Sequence, residues 1–483
     1  MNNKSSLKIV LLTVLMVFFV IPDSYAQDAV SAGATASAER AKLLADEETR
    51  FFKTTEAAPE KPKDFTFNYG GWVFLDFENY TNSDHSREIE DWIKGDCFAD
   101  TRVWLKTTHL QMVTFYGRMY NVSIDRTDVS SDYSGKGSYN EGPRINMLYA
   151  SLNLASRFKF PLAVTLGRQY FTIGRGIVYS STHDGIQMTY SIRKDVLMKA
   201  FASQTKDHEP NIDYSIPNYR SENNRKFYGA ELAYITRDAV FYTFGLIQDD
   251  CTQKDPDTMT QNYTYDSQYI GLGVTGRVGK AFSYWGEIVK EYGSSYVDVS
   301  RAYIPAVKDV DAWAFDVGAS YKLDIYSHPT FGAEIAHGSG DSERYRVTNT
   351  VGGNVSGRDT NFMYFGVFSA GYSFAPRISN MYIYKIEGSF KPVEFIPHIG
   401  KNIAMGSKYY IYAKDEPNGG IYDPYAVAPS RYVGGELDLF AHYKAYENLY
   451  FTVHCGIFFP GKAFPDRYKV NSEYVEFRVL FTI

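Results

Sequence analysis

The feature that most constrains this chain is the period-two patterning that begins at Phe65. Phe65, Phe67, Tyr69, Gly71, Val73, Leu75 and Phe77 alternate with Thr66, Asn68, Gly70, Trp72, Phe74, Asp76 and Glu78. One face is apolar and the other largely polar, which is the signature of a β-strand between two environments. The pattern returns clearly at Trp313, Phe315, Val317, Ala319, Tyr321 and Leu323, and again at Val433, Gly435, Leu437, Leu439, Ala441 and Tyr443. In a soluble sandwich the apolar face would meet a second sheet; in a membrane barrel it meets lipid, and the polar face lines a lumen.

Connection lengths separate the two readings. Short joints fall near residues 108–110, 155–160, 192–194, 236–238, 279–281, 324–329, 391–394 and 445–448. Long polar connections fall at 80–99, 121–143, 171–184, 205–225, 249–267, 293–310, 339–379, 413–431 and 460–472. Strict alternation of eight short and nine long connections predicts eighteen strands, with tight periplasmic turns and long outer loops. The apolar tract 362–374 is placed in a loop that folds into the pore, and the strand near 395–412 is interrupted by Pro397. Val475, Phe477, Val479, Phe481 and Ile483 form a last amphipathic strand, suited to closing a barrel against the first. The expected fold is therefore an all-β, transmembrane, antiparallel up-and-down β-barrel.

The N-terminus carries an address. Lys4 and Lys8 precede an apolar-rich run at 9–21, and Ser24-Tyr25-Ala26 presents small residues at the two positions a signal peptidase reads. Residues 1–26 are expected to be a signal peptide cleaved after Ala26. Residues 27–64 read as a periplasmic helix and linker, with a helix-compatible stretch at 38–52, and 27–62 could dock a periplasmic partner. The barrel then occupies 65–483. A net charge of −6 argues against nucleic acid, because counterion release needs clustered Lys and Arg. Cys97, Cys251 and Cys455 are odd in number and lack a Cys-x-x-Cys pair, which opposes a disulfide framework or structural zinc, although Cys97 and Cys251 could pair.

Catalytic motifs are weak. Gly271-Leu272-Gly273-Val274-Thr275-Gly276 matches a dinucleotide fingerprint but sits inside an alternating strand, without the helix whose N-terminus must hold the pyrophosphate. No cofactor or metal is implied. Ser339 with His337 leaves a barrel lipid hydrolase as an alternative, and an adhesive or structural barrel is another. The informative residues are instead those of inward parity. The basic ones are Arg102, Lys106, Arg118, Arg277, Lys322, Lys385, Lys444 and Arg478, with Arg168 added; the acidic ones are Glu231, Glu287, Asp316, Glu334, Glu387, Glu436, Asp438 and Glu476. Such charges solvate a water-filled wall, pair across strands, and where they ring a constriction bias passage by charge.

Four pieces carry a family resemblance: Leu166-Gly167-Arg168-Gln169 followed by Gly174-Arg175, then Asp184-Gly185-Ile186, then Gly338-Ser339-Gly340-Asp341, and lastly Gly434-Gly435-Glu436-Leu437-Asp438-Leu439 with Phe458-Phe459-Pro460-Gly461. With them the chain resembles the alginate-export family of outer-membrane porins. The resemblance implies a monomeric eighteen-stranded barrel passing a polyuronate through an arginine-rich pore. It makes Arg168 and Arg175 candidates for a basic constriction and puts Glu436 and Asp438 in the family's last strand pattern. The inward charges are nearly balanced in sign, which departs from a strongly positive pore. The expectation is a non-enzymatic channel in the outer membrane of a Gram-negative-type bacterium, surrounded by lipid and open to sugars, sugar acids or a linear anionic polysaccharide. Loops 121–143 and 339–379 are the expected constrictions.

Overall fold

A computed structural model describes residues 64–86, 93–129, 134–205, 225–251, 265–296, 307–344, 347, 354, 356–396 and 400–483. The expected signal peptide and the 27–62 segment lie outside the described residues. Eighteen strands form one sheet. They are β1 (Phe65–Thr81), β2 (Ile93–His109), β3 (Val113–Val129), β4 (Ser134–Asn153), β5 (Leu162–Ile173), β6 (Tyr179–Arg193), β7 (Val196–Gln204), β8 (Arg225–Ile235) and β9 (Ala239–Asp250). There follow β10 (Tyr265–Val278), β11 (Phe282–Tyr296), β12 (Val307–Lys322), β13 (Thr330–Gly338), β14 (Met381–Phe390), β15 (Ile403–Lys414), β16 (Tyr432–Tyr446), β17 (Leu449–Pro460) and β18 (Ser472–Thr482). A single helical turn, α1 (Ala155–Phe158), lies in the β4–β5 connection.

Each strand pairs antiparallel with its neighbours in sequence, and β1 pairs with β18 from Trp72 opposite Thr482 to Thr81 opposite Glu473. The ladder therefore has no edge, which is the condition for placing backbone in hydrocarbon. The alternation seen in the sequence maps onto the wall. Phe67, Tyr69, Phe115, Leu272, Val317 and Ile386 point outward and are exposed, whereas Asp76, Glu78, Glu287 and Asp316 on the other parity are buried inside. Among the described residues no helix is long and apolar enough to cross a membrane, so crossing falls to the strands.

The dinucleotide-like glycines belong to β10. A Cβ on Gly271 would lie 2.2 Å from the Phe244 ring, and one on Gly273 2.2 Å from the Tyr242 ring, so these glycines make room for inward aromatics of β9. Residues 121–143 differ from expectation. They are not a constricting loop, because β3 continues to Val129 and β4 resumes at Ser134. Beyond the apolar belt both faces of a hairpin are wet, so outward Asn121, Ser123 and Asp125 are compatible with strand and hid it from the hydrophobic pattern. Cys97 likewise lies on β2 rather than in a loop, Cys251 follows β9, and both thiols are free.

Lipid contact is testable at Leu272, 58% exposed on the outer face. Leu272→Arg should lower folding stability in vesicles by about 2–4 kcal/mol, the range for a cation near the bilayer midplane. Denaturant unfolding that shows a cost below about 0.5 kcal/mol would mean that this face does not meet hydrocarbon.

Candidate pore constriction

Among the described residues, two connections turn into the lumen and give backbone amides to glutamates on the strands. The first is the β5–β6 turn, residues 174–178. Gly174 N donates to Glu231 Oε2 at 2.8 Å and Arg175 N to Glu287 Oε2 at 2.7 Å. Tyr242 Oη donates to the same Glu287 oxygen at 2.8 Å. The Arg175 side chain continues inward, with Nε 2.8 Å from Asp316 Oδ2 and the guanidinium 5.1 Å above the Trp285 ring. Gly174 has φ of 54°, and a Cβ there would sit 2.3 Å from Glu287 Oε2, so only glycine lets the turn approach this carboxylate.

The second is the β13–β14 connection, residues 339–380. Phe365 N and Val367 N donate to Val178 O and Gly176 O at 2.8 and 3.0 Å, which lays this loop along the first turn. Met363 N donates to Glu291 Oε2 at 2.9 Å, while Tyr265 and Tyr269 hydroxyls donate to Oε1 at 2.6 and 3.0 Å. Further along, Tyr372 N and Ser373 N reach Glu436 Oε1 at 2.7 and 2.6 Å, and Phe374 N and Tyr412 Oη reach Oε2 at 3.2 and 2.9 Å. Tyr372 also lies on the His454 ring at 4.4 Å, and Lys408 Nζ donates to its hydroxyl at 3.0 Å. The loop thus runs across the lumen from β10 and β11 to β15, β16 and β17, and reaches the start of β18, where Ser373 Oγ lies 2.9 Å from Ser472 Oγ. An amide-to-carboxylate bond is charge-assisted, so these contacts are stronger than ordinary loop hydrogen bonds.

Apolar side chains fill the space beneath. Phe171, Ile173, Phe227, Phe362, Tyr412 and Phe458 belong to one buried cluster formed by strands β5–β17 and the inward loops. The opposite wall, on β1–β4 and β18, carries a second cluster of Trp72, Phe74, Trp104, Tyr116, Met147 and Leu480. Arginines lie over it: Arg102 and Arg118 at 5.8 and 5.4 Å from the Trp72 ring, Arg478 at 4.8 Å from Phe74. Arg102 pairs with Asp100 at 2.9 Å, Arg126 with Asp96 at 2.8 Å, and Arg478 with Glu476 and, at 3.4 Å, Asp76. Arg118 Nε donates to Asn146 at 2.7 Å.

The residues chosen from sequence divide into groups. Arg102, Lys106, Arg118 and Arg478 face inward on the arginine-rich wall. Glu334, Lys385 and Glu387 form an inward triad, with Lys385 Nζ 2.5 and 3.6 Å from the two carboxylates. Arg277, Lys322 and Lys444 have inward parity close to the periplasmic ends of their strands, Lys444 Nζ 5.5 Å above the Tyr450 ring. Glu231, Glu287, Asp316 and Glu436 do not face open solvent as bare pore charges, because they are consumed in holding the loops. Asp438 is fully buried beside Tyr372, and Glu476 is buried between His454 and Arg478.

Arg168 is a correction. On β5 the inner positions are Gly167, Gln169, Phe171 and Ile173, so Arg168 points outward and pairs at 2.7 Å with Asp184 on the same outer face of β6. The inner face of β5 is apolar because loops cover it, and hydrophobicity there no longer marks the lipid side. Lys199, Glu291, Lys408 and Arg126 were missed. Strand parity would have found the first three, since Lys199 lies opposite Glu231, Glu291 is four residues after Glu287, and Lys408 lies opposite Asp438. Ser339 Oγ accepts from Trp313 N at 2.9 Å and donates to Thr360 O at 2.7 Å, bonds that anchor the loop.

A closed eighteen-stranded antiparallel barrel with lipid-facing apolar residues and loops folded into a charged lumen defines an outer-membrane channel for solutes. Residues 125–477 match the family described as "Alginate export", and the chain belongs to it. The fold is similar to the outer membrane protein OprD of Pseudomonas aeruginosa, at 13% identity and a TM-score of 0.52 over 88% of this chain and 96% of that one. It is similar also to OccK8 (OprE) of the same organism, at 12% identity and 0.52 over 86% and 98%, and to OccAB1 of Acinetobacter baumannii, at 11% and 0.52 over 86% and 96%. At such identities the likeness shows the fold. No curated protein sequence matches the chain.

Glu436→Ala tests the clamp. Three loop amides and one hydroxyl would lose their shared acceptor, each costing about 1–3 kcal/mol if left buried and unmade. Limited proteolysis should then cut within 339–380 at least about tenfold faster while the barrel keeps its β-rich spectrum, as a loss of a few kcal/mol confined to the loop requires. An unchanged cleavage rate would show that Glu436 does not hold the loop.

Proposed function

We propose that the channel passes small polar solutes passively, with sugars and sugar acids as the preferred class, along an off-centre path beside β1–β4 and β18. The observation that carries this reading is the asymmetry of the lumen. Both inward connections make most of their hydrogen bonds on the β5–β17 side, with Ser373 reaching only Ser472 at the start of β18, an arrangement that supports passage along the wall of Arg102, Arg126, Arg478 and the aromatic cluster. Aromatic faces suit the ring carbons of a sugar, and guanidinium groups suit its hydroxyls and carboxylate. Each of these three arginines already faces a carboxylate, so the wall offers local recognition without a strong positive field. That balance supports short solutes. The family's name favours a second reading, export of a linear polyuronate, which needs a net attractive field for a polyanion.

Planar-bilayer recordings with a panel of hexoses, uronates and oligouronates separate the two. Short sugars and uronates should reduce the current in a concentration-dependent way, and Arg102→Ala with Arg126→Ala should weaken uronate block at least fivefold while leaving hexose block. Block by long uronates alone would favour the polymer, and block by no sugar would overturn both. In a salt gradient, Arg175→Ala should move the reversal potential toward cation selectivity, because it removes a positive charge from the constriction. Arg168→Ala, outside the wall, should leave it where it was; the opposite pattern would refute this placement.

A further inference from the structure

We propose that the outer wall of β8–β12 carries a binding site for a phosphorylated glycolipid of the surrounding leaflet, at the level where the apolar belt ends. The site lies outside the lumen and does not depend on what the channel passes.

Strand register places its parts. Tyr228, Ile247, Gln268, Tyr292 and Asp311 stand opposite one another on five successive strands, at outward positions and at one height. A groove of about 700 Å³ lies between Tyr228 and Tyr292, lined by Ile247 and Gln268, with Asp249, Asp266 and Ser294 toward its upper lip. Ile270, Lys290 and Trp313 form the next row toward the membrane, and beyond them Leu272, Ile288 and Phe315 continue the outer face. On β12, Trp313 and Tyr321 bracket the apolar Phe315, Val317 and Ala319, as interfacial aromatics bracket a membrane band. Tyr321 is next to the short β12–β13 connection, so Trp313 marks the opposite, outer interface.

Two cations meet at this level. Lys290 belongs to a belt row, and its long side chain rises toward water: Nζ pairs with Asp311 and lies 5.3 Å above the Tyr292 ring. The second cation arrives on the β13–β14 connection. Asp359 N donates to Asp309 O and Asp311 N to Asp359 O, both at 2.9 Å, so this segment runs parallel beside β12 where its pairing with β13 has ended. Val310 and Asp359 are buried on the inner side, which turns Arg358 outward, with Nη1 3.0 Å from Asp311 Oδ2. One carboxylate between two cations leaves an excess positive charge, and an ammonium with a guanidinium has donors for several more oxygens. Phosphate is the anion such a pair receives best.

The neighbours supply the rest of the recognition. Ile270, Leu272 and Ile288 continue the lipid-facing belt and take acyl chains. The tyrosines offer ring faces to a sugar, and Asp249 and Asp266 offer acceptors to its hydroxyls. These acids, with Asp309, stand one row above the cations and hold the phosphate to the Lys290 end, while Lys226 stands opposite Asp249 and offsets part of their charge. An ordinary phospholipid has no ring for the groove, and free phosphate has no chain for the belt.

The test folds the whole protein into phosphatidylcholine vesicles and titrates a dansyl-labelled, acylated glucosamine disaccharide bearing two phosphates, read by energy transfer from tryptophan. Lys290→Gln with Arg358→Gln should weaken binding at least about tenfold, and removing the phosphates from the probe should cost the parent as much. Tyr228→Ala with Tyr292→Ala should weaken both forms of the probe at least about threefold. Arg168→Gln, an outward cation on β5, should change nothing, and excess inorganic phosphate should leave the probe bound. An unchanged β-rich spectrum in each variant separates lost binding from lost folding. Equal binding by the parent and the double glutamine variant would overturn the site. So would an equal loss in Arg168→Gln, which would mean general surface charge, or displacement by inorganic phosphate, which would mean an anion site without a lipid.

Discussion

Closure of the β1–β18 ladder is the constraint on which everything else here depends. Hydrocarbon offers no hydrogen-bond partner, so an open edge would leave a row of amides and carbonyls unmade at several kcal/mol each. Ten paired positions between Trp72–Thr81 and Glu473–Thr482 remove that edge. Once the cylinder is closed, its outer face is free to be apolar and its inner face is obliged to manage water, charge and whatever the loops bring inside.

The inner face solves the second problem with the same chemistry. A loop that enters a lumen carries backbone amides away from bulk water, and each must be met. Glu231, Glu287, Glu291 and Glu436 meet them from the strands, with Tyr242, Tyr265, Tyr269 and Tyr412 filling remaining lone pairs. In the proposed channel these carboxylates shape the passage by holding the loops, and Arg175, Arg102, Arg126 and Lys385 give it its charge. The separation lets the lumen hold many acids whose oxygens are engaged by loop amides and tyrosine hydroxyls.

Strand number, topology and lipid face were legible from alternation and connection lengths, because in a barrel every strand repeats one rule. The inward tract 362–374 was legible too, as an apolar run stranded inside a long connection. Arg168 was misplaced because Phe171 and Ile173 are apolar on the inner side, where loops rather than lipid cover them. The hairpin over 121–143 was missed because beyond the membrane both faces of a strand are wet. Parity alone would have added Lys199, Glu291 and Lys408, whereas no pattern shows that Glu436 meets three consecutive amides from a loop some sixty residues earlier.

By itself, then, the sequence determined the architecture: period two, strict alternation of short and long joints, and a terminal amphipathic strand admit one closed membrane cylinder, since the rules are local and repeated. Only the tertiary structure decided the channel within it. Which charges line water and which are spent on backbone amides depends on where two loops dock, and that is set by contacts between residues far apart in the chain, to which no local period corresponds.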